Sequence, residues 1–496
     1  MTLPPLRDDV PPAVGEYLGA FIKVPNIPQS EDCLNLNVLV PAGTKPNSNL
    51  PVLVWIYGGG FQLGSNAVQP GHVIVNRSIE LNQPVIYVAM NYRLSAFGWL
   101  GGREVKEGGI GNLGLQDQRE ALRWIQKYIP AFGGDPAKVT MYECLCKATV
   151  FQLIPPNRSW GESAGSISVA LHMMAHGGNN EGLFRAGFME SGAALPSGDI
   201  TGSSLQDTYD FIVADTGCAS SHDSLECLRK VSVEQLTAAM DKTPTFFSYQ
   251  QCNTPWFPRA DGVFVAEPPE HLLLKGNLAR VPVVVGNTED EGTAFSLSTL
   301  NITYVYVTPS FLPRRSKLGH STDEEFAKYV TENYYTHTNQ SEIAKLLDMY
   351  PSDPVVGSPY GTEDSYAYTP AFKRMAAFQG DFIVQAPRRL FTQQLAEKQP
   401  VWSFMSQRGK ITGLGAAHGT DLANVFGGGD MTDYLIRFAA TLDPNGDAGI
   451  YWPRYTKESP QLLSFLDGEV PLGIINDTYR ADAMELVTRM SLADPM

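Results

Sequence analysis

Apolar residues along this chain gather into short continuous runs separated by amphipathic stretches. Six runs stand out: PVLVWIYGG from Pro51, QPVIYVAMNYR from Gln83, KVTM from Lys138, RAGFMESG from Arg185, VPVVVGNTEDEG from Val281 and QPVWSFMSQ from Gln399. Unbroken apolar runs, unlike alternating ones, suit strands covered on both faces, as in a parallel sheet. Between them, LQDQREALRWIQKYI from Leu115 has the spacing of an amphipathic helix, and SAGSISVALHMMAH from Ser163 that of a buried one. Alternating strands and helices predict an α/β protein, a mostly parallel sheet flanked by helices in one large domain. The helix-rich stretches 200–275 and 323–400 read as insertions over its top.

In such sheets the chemistry lies beyond the carboxyl ends of the strands. Gly161-Glu162-Ser163-Ala164-Gly165 fits the G-x-S-x-G bend that exposes a nucleophilic serine at a helix amino terminus. Tyr57-Gly58-Gly59-Gly60-Phe61 ends the first run. Glycines there let backbone N–H groups reach a substrate oxygen, so Gly59 and Gly60 with Ala164 form a candidate three-donor oxyanion hole. A serine nucleophile needs a base, and the base needs an orienting acid, in the chain order serine, acid, histidine. Of His222, His271, His320, His337 and His418, only His418 follows a strand in a loop of small residues, GLGAAHGTDL. Glu291 follows VPVVVGNTED directly and precedes Gly292, with Asp290 as its close rival.

Charge and cysteine content narrow the partners. The formal charge is −15, and no basic run or basic patch interleaved with aromatics is present. This argues against nucleic acid and anionic membrane surfaces. No apolar stretch reaches the length of a membrane span. No Cys/His cluster has metal-ligand spacing. The amino terminus lacks a charged-then-apolar secretion signal, yet sequons occur at Asn76, Asn157, Asn301, Asn339 and Asn476, a hint of a secreted glycoprotein. Six cysteines are present, and Cys218 and Cys227 flank a short polar loop that suits a disulfide or leaves two free thiols. Gly109 to Gly114 satisfies G-x-G-x-x-G, but the residues before it, GGREVKEG, are polar, so a dinucleotide site is not expected.

Together these motifs resemble the type-B carboxylesterase/lipase family, which includes fungal lipases and cholinesterases. The resemblance rests on SEDCLNLNVLVP, VWIYGGGFQLGS, VAMNYRLSAFGWL, GNLGLQDQREALRWI, FGGDPAKVT, GESAGS, NTEDEGT, AAHGTD and WPRYTKESPQLL, in family order from Ser30 onward. It implies an α/β-hydrolase fold and a carboxylic-ester hydrolase working through an acyl-enzyme. Ser163 would be the nucleophile, Glu291 rather than Asp290 the acid and His418 the base. Gly59, Gly60 and Ala164 would be the oxyanion donors. Ser191 in MESG matches a serine that supports the acid, and a Cys218–Cys227 bridge is implied. No metal or organic cofactor is expected. The substrate would be a small-molecule or lipid ester, and the location extracellular. Phe246 and Phe247, from the first insertion, are candidates for the acyl pocket, with ordinary core packing the alternative. A non-catalytic binding member of the same fold, or an inactive product of a faulty gene model, is the alternative to an enzyme.

Two departures from the family stand out. The segment upstream of Ser30 is shorter than the family's, so the chain reads as amino-terminally truncated and Cys33 as lacking its partner. Two foreign stretches of equal length, 142–159 and 304–321, interrupt family motifs. Met141-Tyr142-Glu143-Cys144 can be encoded with GTAYGARTGY, a splice donor, and Ser159 as AGY supplies an acceptor. Joining the ends gives Val-Thr-Ile-Trp-Gly-Glu-Ser. The same construction at Thr303 and Ser321 gives Asn-Ile-Thr-Thr-Asp-Glu-Glu. Retained introns are therefore expected, with genuine surface insertions as the rival reading.

Overall fold

The structure, a computed structural model, describes residues 6–22, 29–68, 71–142, 163–299, 322–447 and 449–496. Both suspected inserts lie outside these residues except for Tyr142, and Asn157 and Asn301 lie outside them as well.

The six apolar runs form six strands: β2 (Leu50–Ile56), β3 (Ile86–Met90), β4 (Gly134–Tyr142), β5 (Ala186–Glu190), β6 (Val283–Thr288) and β7 (Val401–Gln407). Every residue of β3, β5 and β6 is buried, which explains why these runs show no alternation. Three further strands complete the sheet: β1 (Leu36–Leu39), β8 (Gln461–Leu466) and β9 (Leu472–Asn476). The nine strands lie in the order β1-β3-β2-β4-β5-β6-β7-β8-β9. The block from β3 to β8 is parallel, and β1 and β9 close its two edges antiparallel. This is the α/β-hydrolase arrangement.

Parallel strands bring their carboxyl ends to one side, so residues far apart in sequence meet there. The β2 end supplies Tyr57 to Gly60, the β5 end Ser191, the β6 end Glu291 and the β7 end the loop to His418. The helix Ala164–Gly178 carries Ser163 at its N-cap and is buried from Ala164 to Ala175. β4 reaches Tyr142, which is buried and in register with Trp55 and Phe188.

Candidate active site

Ser163 stands at φ 70° and ψ −92°, outside both the helical and the extended regions. Such a conformation costs on the order of 1–3 kcal/mol in a non-glycine residue and needs surroundings that hold it. Its N–H donates to the Glu190 carbonyl at the end of β5 (3.5 Å), and its own carbonyl accepts from Ile167 N–H in the first helical turn (3.0 Å). One helical turn along the chain, Ser166 Oγ donates to the Gly192 carbonyl (3.0 Å), tying the helix to the segment after β5. The bend thus presents the serine side chain at a helix amino terminus, where developing negative charge is favoured.

Glu291 is fully buried, and its two oxygens have separate partners. Oε1 accepts from Ser191 Oγ (2.7 Å) and from Thr288 N–H (2.6 Å), while Oε2 accepts from His418 Nδ1. A carboxylate can only accept here, so the proton sits on Nδ1 and Nε2 is left as the basic nitrogen. His418 is itself 1% exposed and packs its ring 4.9 Å from that of Phe295.

Asp290 has different neighbours. Its Oδ1 accepts from Ser358 Oγ (2.7 Å) and Tyr360 N–H (2.9 Å), and its Oδ2 accepts from Ala416 N–H (2.9 Å). Burial pushes its carboxyl up to about 7, against the hydrogen bonds that pull it down. Asp290 is therefore bonded to the backbone of the histidine loop and Glu291 to the histidine ring. A Cβ on Gly415 would lie 2.1 Å from Asp290 Oδ2, so this contact needs glycine at 415.

Ser163, Ser191, His418, Gly59 and Gly60 line one cavity with about 490 Å³ of empty space, its open mouth included. Gly59 and Gly60 hold φ of 97° and 62°, and a Cβ on Gly60 would lie 2.7 Å from the Phe246 ring. Ala164 is the first residue of the helix that follows Ser163. The remaining wall is almost wholly apolar: Ile167, Phe246, Cys252, Phe257, Phe295, Ile383 and Val384. Phe246 is thus part of the wall. Phe247 is not among the lining residues and instead packs on Phe246 (4.7 Å between ring centroids) and on Phe295 (6.2 Å). Phe257, Phe295, Ile383 and Val384 escape sequence reasoning. Ile383 and Val384 sit on a π-helical turn, Asp381–Gln385, a distortion often found at functional sites, and its sequence carries no mark of that turn.

A disulfide joins Cys218 and Cys227, while Cys33 and Cys252 are free among the described cysteines. The G-x-G-x-x-G stretch is preceded by a helix, Arg103–Glu107, and not by a strand. Its Asn112 donates from Nδ2 to the Arg259 carbonyl (2.8 Å) and to Asp261 Oδ2 (2.7 Å), a structural tie between loops. Among the described residues, no group of three His, Cys, Asp or Glu side chains could hold a metal ion. No described helix is long and apolar enough to cross a membrane.

The chain is similar to known proteins in sequence and in fold. A sequence profile of the carboxylesterase family matches residues 15–485. The chain is 37% identical to the secreted triacylglycerol lipase LIP1 of Gibberella zeae, over 96% of this chain and 78% of that one. It is 36% identical to secreted lipase 1 of Botryotinia fuckeliana, over 97% and 80%. It is 38% identical to lipase 4 of Diutina rugosa, over 87% and 74%. Among solved structures, EstA of Aspergillus niger superposes with a TM-score of 0.75 at 25% identity, covering 94% of this chain and 85% of that one.

Proposed function

The chain belongs to the carboxylesterase family and is a serine carboxylic-ester hydrolase, and on that premise we propose that Ser163 is its nucleophile, His418 its general base and Glu291 the acid that orients the base. Ser163 Oγ attacks the ester carbonyl while His418 Nε2 takes its proton. Glu291 keeps the Nδ1 proton in place and balances the imidazolium that forms. The N–H groups of Gly59, Gly60 and Ala164 receive the negative charge on the carbonyl oxygen. The intermediate collapses as His418 returns the proton to the leaving alcohol, giving an acyl-serine. Water, deprotonated by the same histidine, then releases the acid. Ser191 holds Glu291 in place by its bond to Oε1. The observation that carries this reading is the Glu291–His418 contact, with His418 and Ser163 on the wall of one cavity.

The substrate is an ester whose acyl or alkyl part is apolar, because the wall beyond the reacting groups offers aromatic and aliphatic side chains. The protein works outside the cell, a reading supported by relatives named as secreted lipases. A fluorophosphonate probe tests the assignment. Labelling is expected in the parent chain and should vanish in Ser163→Ala, together with p-nitrophenyl butyrate turnover. Labelling that persists in Ser163→Ala would overturn the role of Ser163.

A further inference from the structure

The loop that carries His418 is held by four side chains from three separate segments. Thr293 Oγ1 donates to the Leu414 carbonyl (2.8 Å), and Asp290 accepts from Ala416 N–H (2.9 Å). Tyr368 donates its hydroxyl to the Gly413 carbonyl (3.1 Å). The third segment is the helix Pro12–Ile22, where Tyr17 donates its hydroxyl to the backbone carbonyl of His418 itself. Val14, Tyr17 and Leu18, spaced i, i+3 and i+4, are the buried face of this helix. Near its start, Pro11 and Val14 come to about 3 Å of where a Cβ on Gly413 would stand. The helix therefore crosses the loop from Gly413 to His418.

We infer that Tyr17 is a positioning residue for the hydrolytic reaction: its hydroxyl fixes the peptide of His418 and so aims the imidazole at Ser163. His418 is then held at two points, by Glu291 at the ring and by Tyr17 at the main chain. Thr293, Asp290 and Tyr368 act on residues two to five places earlier. A hydrogen bond at the histidine's own carbonyl controls the direction of its Cα–Cβ bond, and a fraction of an ångström there matters to proton transfer. Tyr17 is not among the residues lining the cavity, so its loss should leave substrate binding alone. The inference rests on His418 being the base.

The test compares Tyr17→Phe with Tyr368→Phe, each of which removes one hydroxyl bonded to this loop. In Y17F, kcat for p-nitrophenyl butyrate and the rate of fluorophosphonate labelling should both fall about tenfold, with KM within about twofold of the parent. Y368F should lose comparable thermal stability and keep kcat within about twofold. The downfield proton resonance of His418 Nδ1 should shift in Y17F and stay in Y368F, a readout that does not depend on turnover. Equal kcat losses in the two variants, or an unmoved resonance in Y17F, would overturn the inference and leave Tyr17 a packing residue. His418→Ala separates the layers: if it still labels at the parent rate, the reading of His418 as base fails, whereas an inert H418A beside a fully active Y17F removes only the role of Tyr17.

Discussion

Asp290 and Glu291 are neighbours with the same acidic group and different tasks, and their hydrogen bonds say which is which. Glu291 accepts from an imidazole N–H that must stay protonated at Nδ1. An amide in its place could present the wrong group to that nitrogen and cannot balance the imidazolium. Asp290 accepts from two backbone N–H groups and one hydroxyl, and burial already pushes it towards the neutral form. Glu291→Gln should lower kcat by about 10³-fold or more, while Asp290→Asn should stay within about tenfold of the parent. Steady-state kinetics on a soluble ester decides, and a larger loss in D290N than in E291Q would reverse the assignment. The candidates Glu291 and His418 could be picked out because each follows an apolar run in a short context, and Ser163 because G-x-S-x-G opens an apolar helix. The choice between the two carboxylates was not legible, since residues one apart differ only in the direction they face. The wall residues Phe257 and Ile383 were illegible for another reason. They come from distant segments, and nothing local marks an apolar side chain as facing a cavity instead of the core.

At the level of elements, the six central strands were readable because burial on both faces leaves an unbroken apolar run. β1 and β9 were not, because an edge strand need not be apolar throughout, and β8 was not, because Gln461 and Ser464 interrupt its short apolar run. Every residue of β9 is partly exposed or exposed. Just beyond β9, Asp477 forms buried ion pairs with Arg388 (2.5 Å) and Arg389 (2.7 Å) of the helix Ala386–Leu395, a tie invisible to pattern. The helix Pro269–Lys275 raises a separate matter of pH. It packs on the serine-bearing helix and on the helix Ala386–Leu395, and it buries Glu270, with Oε2 unpartnered. Burial pushes this carboxyl up to about 8. Folded protein therefore holds a proton that the unfolded chain gives up near the ordinary glutamate value. The resulting stability is full below about pH 4.3 and is lost as pH rises through about 8. Asp290 acts in the same direction up to about 7. The melting temperature should fall from pH 5 to pH 8.5, and Glu270→Gln should flatten that fall by a few degrees. Calorimetry at the two pH values checks this, and an unchanged slope in E270Q would show that Glu270 is not the group involved.

For the whole molecule, the sheet gathers the reacting groups, and one junction in it is out of proportion. The strain at Ser163 must be held on the helix side and on the strand side. The helix begins at once, at Ala164, but β4 ends at Tyr142, so the strand end and the serine lie far apart in sequence. We infer that 142–159 and 304–321 are translated introns, because both begin and end at codons that permit splice signals and both preserve frame. In the spliced chain, Trp160 would follow residue 141 and take the strand position that Tyr142 now fills beside Trp55 and Phe188. The bend would then be anchored directly by a central strand paired on both sides. A chain lacking both stretches, with Met141→Ile, should hydrolyse p-nitrophenyl butyrate on the order of 10²-fold faster, since a serine joined directly to a paired central strand is held closer to attack geometry. The gain should appear in kcat and in the labelling rate more than in KM, because the apolar wall is built by other segments. Sequencing the mature transcript across Thr140 to Trp160 gives an independent check, expected to read Val-Thr-Ile-Trp-Gly-Glu-Ser. Equal turnover by the two chains, or a transcript that keeps these codons, would mean that the helix and the β5 contact hold Ser163 without the strand, and that both stretches are genuine insertions.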